Sequence, residues 1–317
     1  MRRISQRKLR DQEKTGKFYD HIVQPATPEE TRFRHGHWAA RRALVRQRLT
    51  ETACNTFQMN RFDECGSGCR VEWSETLQRR RIRASYCRSR HCEPCARAKG
   101  NRIAANLRDR LAEQLQLHTQ DRSPKFRFVT LTLKHTRENL AHQIRRLYSS
   151  FKKLRAHPVW KKTQSGGCFM LEVKHSATGW HPHLHIITQG KFLKQHELSI
   201  AWLSVTGDST IVHITQLREP KDAVHYVVKY VSKGTNKEVW DDPNLSQEWI
   251  TASKSVRTCA TFGNWRGFKL CQVKTTATDW TFEANLTDLV HRARGGEQHA
   301  WQVLQTLNAS QEALEIE

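Results

Sequence analysis

The chain has 317 residues and carries 53 Lys and Arg against 31 Asp and Glu, a formal net charge of +22. A chain this long can bury a real core and hold two modest domains, which excludes a disordered tail. Its charge makes an acidic polymer the expected partner, nucleic acid first and an anionic membrane surface second. No apolar run is long enough to span a bilayer, and the opening MRRISQRKLRDQEKTGKFYD lacks the apolar centre of a secretory signal. The expected place of work is a cytoplasm.

Residues 1 to about 50 form a basic segment in which Trp38, Leu44, Val45 and Leu49 have helical spacing, predicting a helix over His37 to Ala53. Its arginine face is either solvated or laid on DNA. Residues 54–95 then hold six of the nine cysteines: Cys54, Cys65, Cys69, Cys87, Cys92 and Cys95. An odd total, mostly in one cluster, argues for metal rather than disulfides in a reducing compartment. Cys92 and Cys95 form a CxxC, half of a tetrahedral zinc site, to be completed by Cys87 and one or both of Cys65 and Cys69. Six cysteines compete for four places, so the set stays open. Cys168, Cys259 and Cys271 are isolated and read as packing residues. The surrounding QRRRIRASYCRSRHC offers positive charge to phosphate.

Ala96 to Leu117 reads as an amphipathic helix with Ile103, Leu107, Leu111 and Leu115 at every fourth position. From Phe126 the texture changes. FRFVTLTLKH predicts a strand, and ENLAHQIRRLYSSFKKLRAH a helix with Leu140, Ile144, Leu147, Phe151 and Leu154 on one face. GCFMLEVKH and WHPHLHIIT predict two strands joined by the turn SATG. Lys194 to Gly207 predicts a helix, Ile211 to Leu217 a strand, and PKDAVHYVVKYVSKG a helix stopped by Gly234. The order β-α-β-β-α-β-α with a tight central hairpin predicts an α+β fold: an antiparallel central sheet with helices on one face, preceded by the small cysteine-rich module. The expected divisions are a basic segment 1–53, a cysteine-rich zinc and DNA-binding module 54–120, a core 121–235, and a region 236–317 whose task is not legible beyond a final helix near Glu297 to Glu315.

Two stretches carry chemistry. In HPHLHII, strand alternation puts His181, His183 and His185 on one face while Leu184 and Ile186 enter the core. If the hairpin turns about Ala177 and Thr178, Glu172 lies opposite His183. Glu172, His183 and His185 then form a two-histidine, one-carboxylate site for Mg²⁺ or Mn²⁺ with positions open to phosphate oxygens. A slip of one residue would turn Glu172 to the wrong face. In DAVHYVVKYVSKG, Tyr226, Lys229, Tyr230 and Lys233 share one helical stripe, and Val224, Val227, Val228 and Val231 the opposite one. Ammonium groups and a nearby cation would favour phenolate over a phenol whose ordinary pKa is about 10. FVTLTL, Phe128 to Leu133, reads as the central strand beside the histidine hairpin.

FVTLTL, HPHLHII and YVVKYVSK, in this order and spacing, resemble the three motifs of the HUH endonucleases, and most closely the rolling-circle replication initiators of plasmids and single-stranded phages. The resemblance spans roughly residues 125–235. It implies an HUH nuclease core in which His183 and His185 bind the metal, Glu172 is the acidic third ligand, and Tyr230 attacks the scissile phosphate. Where many plasmid initiators carry a glutamate one turn before a single tyrosine, this chain has Tyr226, as in the two-tyrosine phage type, whose tyrosines alternate in cleavage and rejoining. If Tyr226 is structural, Asp222 is the nearby candidate for activating water. YCRSRHCEPCARAK, Tyr86 to Lys99, is similar to the cysteine-rich segment before the nuclease core of several plasmid initiators and related transposases.

The resemblance implies an enzyme of bacterial cytoplasm that nicks and rejoins DNA at a plasmid origin through a 5′-phosphotyrosine, leaving a 3′-OH for polymerase. Host helicase and DNA polymerase are the expected partners, because no phosphate-binding loop of a helicase is present. The alternatives are a rolling-circle transposase with the same chemistry and, more remotely, a non-catalytic zinc-containing repressor.

Overall fold

The computed structural model describes residues 39–52, 56–116, 125–217, 230, 235–272 and 279–316. The first elements follow the spacing of apolar side chains. Val45 and Leu49 bury one side of α1 (Ala39–Glu51), and Phe62 anchors the short α2 (Thr56–Asp63). The hairpin of β1 (Arg70–Ser74) and β2 (Arg79–Arg83) follows, then the long α3 (Glu93–Gln116).

The central sheet is five-stranded and antiparallel throughout. It is built from β3 (Lys125–Thr132), β4 (Gln164–Ser176), β5 (Gly179–Gly190), β6 (Val212–Leu217) and β7 (Cys259–Gly263), in the order β6-β3-β5-β4-β7. The β4–β5 hairpin turns on Ala177 and Thr178, and Ser176 pairs with Gly179. Gly179 has φ +109°, a backbone state that a side chain disfavours, so glycine lets the turn close this tightly. The resulting register sets Glu172 opposite His183, as the turn position predicts.

Alternation gives the sheet two unlike faces. Val129, Leu131, Leu171, Val173, Leu184 and Ile186 face a core shared with α4 (Leu140–Ala156), the short α5 (Pro158–Thr163) and α6 (Gln195–Thr206). In α4, Leu140, Ile144, Leu147, Phe151 and Leu154 are all buried, and Asn139 caps the first turn by accepting from the amide of His142. Truncating a fully buried leucine such as Leu147 to alanine would cost about 2–5 kcal/mol. The opposite face is apolar at one end, where Phe126, Phe128, Cys168, Met170 and Ile187 meet Ile103, Leu107 and Leu111 of α3. At its other end that face is polar and carries the histidines.

The C-terminal region, illegible in sequence, divides between two structures. α7 (Glu238–Asp241), α8 (Pro243–Ser253) and β7 complete the core; Glu248 accepts from the Leu140 amide at 2.6 Å and the Trp180 indole at 2.8 Å. β8 (Trp280–Asn285) instead pairs antiparallel with β1, making a second sheet in the order β2-β1-β8. α9 (Leu286–Arg294) and α10 (Gln298–Ile316) pack on it through Leu286, Leu289, Val303 and Leu307, against Cys69 and Val71. Among the described residues no helix is long and apolar enough to cross a membrane.

Candidate active site and metal centres

On the polar half of the sheet face, β3 and β5 set Thr130 opposite His185 and Thr132 opposite His183. Each threonine hydroxyl lies 3.1 Å from the Nδ1 of its histidine. The rings are thereby oriented by Nδ1, so that Nε2 is the nitrogen left to face outward. The Nε2 of His185 lies 2.9 Å from a carboxylate oxygen of Glu172, and Lys174 Nζ lies 3.5 Å from the other. Glu172 and His185 are buried, and His183 is half-buried.

The electrostatics suit a cation. Burial alone would raise the Glu172 carboxyl, but the hydrogen bond and charge of His185, together with Lys174, hold it below its ordinary value. Burial pushes His183 down to about 4, only partly opposed by Glu172, so its ring is neutral and its lone pair free at physiological pH. Two imidazoles and a carboxylate form a mixed N/O donor set of the kind that hard divalent cations accept.

Tyr230, helical and half-buried, lies on this same face. Its ring stacks on His185 with centroids 3.6 Å apart and on Phe128 at 5.9 Å. Six residues on, the Asn236 side chain accepts from the backbone amide of His175 at 2.9 Å and donates to its carbonyl at 3.0 Å. β7 pairs with β4 only over Gly166 to Met170. Asn236 therefore occupies the strand edge that β7 leaves at His175 and pins the chain beyond Tyr230 to the histidine hairpin.

The expected site residues fare differently. Glu172 and His185 come into direct contact, and Tyr230 lies over His185. His183 does not close on that pair as the register suggests. Among the described residues, the one group of three or more candidate ligand atoms all within 4.8 Å of each other is a set of cysteines. His181 is drawn away from the site. Its Nε2 meets the hydroxyls of Ser176 at 2.8 Å and Thr178 at 3.0 Å, and its ring stacks on His135. Tyr226, Lys229, Lys233 and Asp222 lie outside the described residues. Thr130, Thr132 and Asn236 are the functional candidates that sequence reading missed. The only signal for the threonines was their i, i+2 spacing in FVTLTL.

The second centre is formed by Cys65 in the turn after α2, Cys87 in the loop after β2, Cys92 just before α3 and Cys95 in its first turn. All four are buried, with their thiols within 4.8 Å of one another. Sulfur–sulfur separations are 3.5 Å for Cys65–Cys95, 3.6 Å for Cys87–Cys95 and 3.8 Å for Cys65–Cys92. A tetrahedron with Zn–S bonds of about 2.3 Å has edges of about 3.8 Å, so the four sulfurs fit one such ion. Hydrogen bonding to Cys65, with burial, raises the Cys87 and Cys92 thiols; a bound cation reverses that balance. Cys69 is not one of the four. Its thiol donates to the Gly66 carbonyl at 2.8 Å, and its side chain packs in the core of the second sheet. Gly66 (φ +98°) and Gly68 (φ +62°) bend the chain between Cys65 and Cys69, a turn that cysteine spacing does not reveal.

A family model described as Replication protein matches residues 78–307 of this chain. The chain belongs to that family, the plasmid replication proteins of the HUH rolling-circle initiator class. The family role is initiation of plasmid replication, which makes origin DNA the partner. No curated protein and no solved structure matches the chain.

Proposed function

We propose that this initiator nicks and rejoins one DNA strand at its origin, with Tyr230 as the nucleophile. The observation that carries the reading is the Tyr230 ring lying on His185, on the face that also holds Glu172 and His183. In the reaction, the phenol oxygen attacks phosphorus and the bond from phosphorus to the 3′ oxygen breaks. The phenol proton is given up and the departing oxygen gains one, leaving a 5′-phosphotyrosine and a free 3′-OH. One phosphodiester replaces another, so a second transfer reseals the strand without ATP. A divalent cation held by His183, His185 and Glu172 would supply Lewis-acid polarisation of the phosphate. Thr130 and Thr132 hold the two imidazoles in the tautomer that offers Nε2. Lys174, beside Glu172, adds positive charge for the phosphate oxygens.

Cys65, Cys87, Cys92 and Cys95 hold a structural zinc in this reading, with the basic stretch around them on the origin. Host helicase and polymerase act on the product. The test is incubation of the protein with Mn²⁺ and a labelled single-stranded origin oligonucleotide. An SDS-resistant adduct that maps to Tyr230 supports the reading. Its absence with every origin segment leaves a DNA-binding protein without nuclease chemistry.

A further inference from the structure

The second sheet has one face that its helices do not cover. Val71, Ile82 and Ala284 turn toward α9 and α10. Alternation sends Arg79, Arg81 and Arg83 of β2 to the other side. The register brings Arg70 beside Arg83, and sets Trp280 and Phe282 of β8 in the rows of Arg79 and Arg81. Arg70, Arg79 and Arg83 are exposed, and Phe282 is 61% exposed in mid-strand. The one carboxylate in these rows is Glu72, which is buried and already engaged. It accepts from Arg81 at 2.7 Å and lies 3.6 Å from Arg83. The Arg81 guanidinium also lies 4.0 Å from the ring centre of Trp280.

Such a face is costly to leave in water. An exposed phenylalanine among arginines gains nothing from solvent, and an unbalanced row of like charges weakens a sheet. Both features are accounted for by a polyanion that also offers flat apolar rings. We propose that this face is a stacking platform for single-stranded DNA, separate from the cleavage site. Phe282 and the Arg81–Trp280 pair take unstacked bases, while Arg70, Arg79 and Arg83 meet phosphates. Arginines at alternate positions of a strand stand about 6.8 Å apart, a spacing that lets neighbouring guanidinium groups meet successive phosphates of one strand. A duplex keeps its base faces stacked on each other and gives Phe282 no ring to receive.

The platform is tested with the full chain by fluorescence anisotropy, using fluorescein-labelled oligothymidylate and a dA·dT duplex of the same length. Divalent cation is left out, so no cleavage contributes and the result stands whether or not Tyr230 forms an adduct. Phe282→Ala should weaken single-strand binding by about 5- to 100-fold, the loss of one base–aromatic stack, with duplex binding unchanged. Phe282→Trp should retain single-strand binding. Replacing Arg79 and Arg83 by alanine should reduce the slope of log affinity against log salt by about 0.7 for each phosphate no longer neutralised. Phe282 is exposed enough that its truncation leaves the fold intact, which a thermal melt checks. Unchanged single-strand affinity in Phe282→Ala, or an equal loss on duplex, overturns the proposal.

Discussion

The Tyr230 ring lies flat on the His185 imidazole, with centroids 3.6 Å apart and planes inclined by 16°. The stack holds the phenyl ring and makes no demand on the hydroxyl. Tyr230→Phe should therefore keep the stack and the melting temperature while abolishing covalent adducts on single-stranded origin DNA. The gel assay and a thermal melt together check this. Adducts that persist in the variant would move the nucleophile to Tyr226.

In the proposed reaction Thr130 and Thr132 act through the histidines rather than on the substrate. Replacing either by valine keeps the strand and removes the oxygen that orients Nδ1. Mn²⁺ affinity, measured by titration calorimetry, should fall by about 10- to 100-fold. Serine at the same position should restore it. Equal losses for serine and valine would instead mean that packing is the cause.

Removing the ion from the cysteine centre should loosen the whole lobe, since the four thiols join α2, the loop after β2 and α3. Treatment with a zinc chelator, or Cys92→Ser, should lower the melting temperature and reduce bound zinc from one per chain to none. Cys69→Ser should leave the zinc content unchanged, because its thiol faces Gly66. Equal zinc loss in both variants would place Cys69 in the ligand set.

Asp279 closes the second sheet from outside. Its carboxylate accepts from the Thr76 amide at 2.7 Å and the Ser74 hydroxyl at 2.8 Å, and these bonds hold its pKa down at about 2, against an ordinary 3.8. A depressed folded value means that the contribution is complete above the ordinary value and is lost as pH falls through about 2. The Thr76 amide resonance should shift over that acid window, and Asp279→Asn should abolish the shift. A midpoint at the ordinary value in the wild-type protein would show that these hydrogen bonds do not form in solution.

Local pattern and short-range geometry made most of the core legible. A two-residue turn and a period of two were enough to set Glu172 against His183, because the two strands are contiguous in the chain. What remained hidden was decided by distant or competing contacts. Threonine in a buried strand is ordinary, so Thr130 and Thr132 gained meaning only once β5 lay beside β3. Cys69 is separated from Cys65 by a turn that points its thiol elsewhere, and spacing treats the two alike. The side of the sheet that α3 covers is fixed by Phe126, Phe128 and Ile187, which no local pattern pairs with Leu107. Nothing in WTFEAN announces that its partner is β1.

That last pairing governs how the protein comes into being. Ser74 and Asp279 are 205 residues apart in the chain, yet they meet at one end of the small sheet. A nascent polypeptide emerging from the ribosome makes the arginine-bearing hairpin early and must then thread out the entire histidine-bearing sheet before the third strand arrives. Until then the hairpin has a bare edge and no helices beneath it. An interrupted translation product would carry the histidine-bearing hairpin but only an unfinished lobe, which ties completion of the lobe to completion of synthesis.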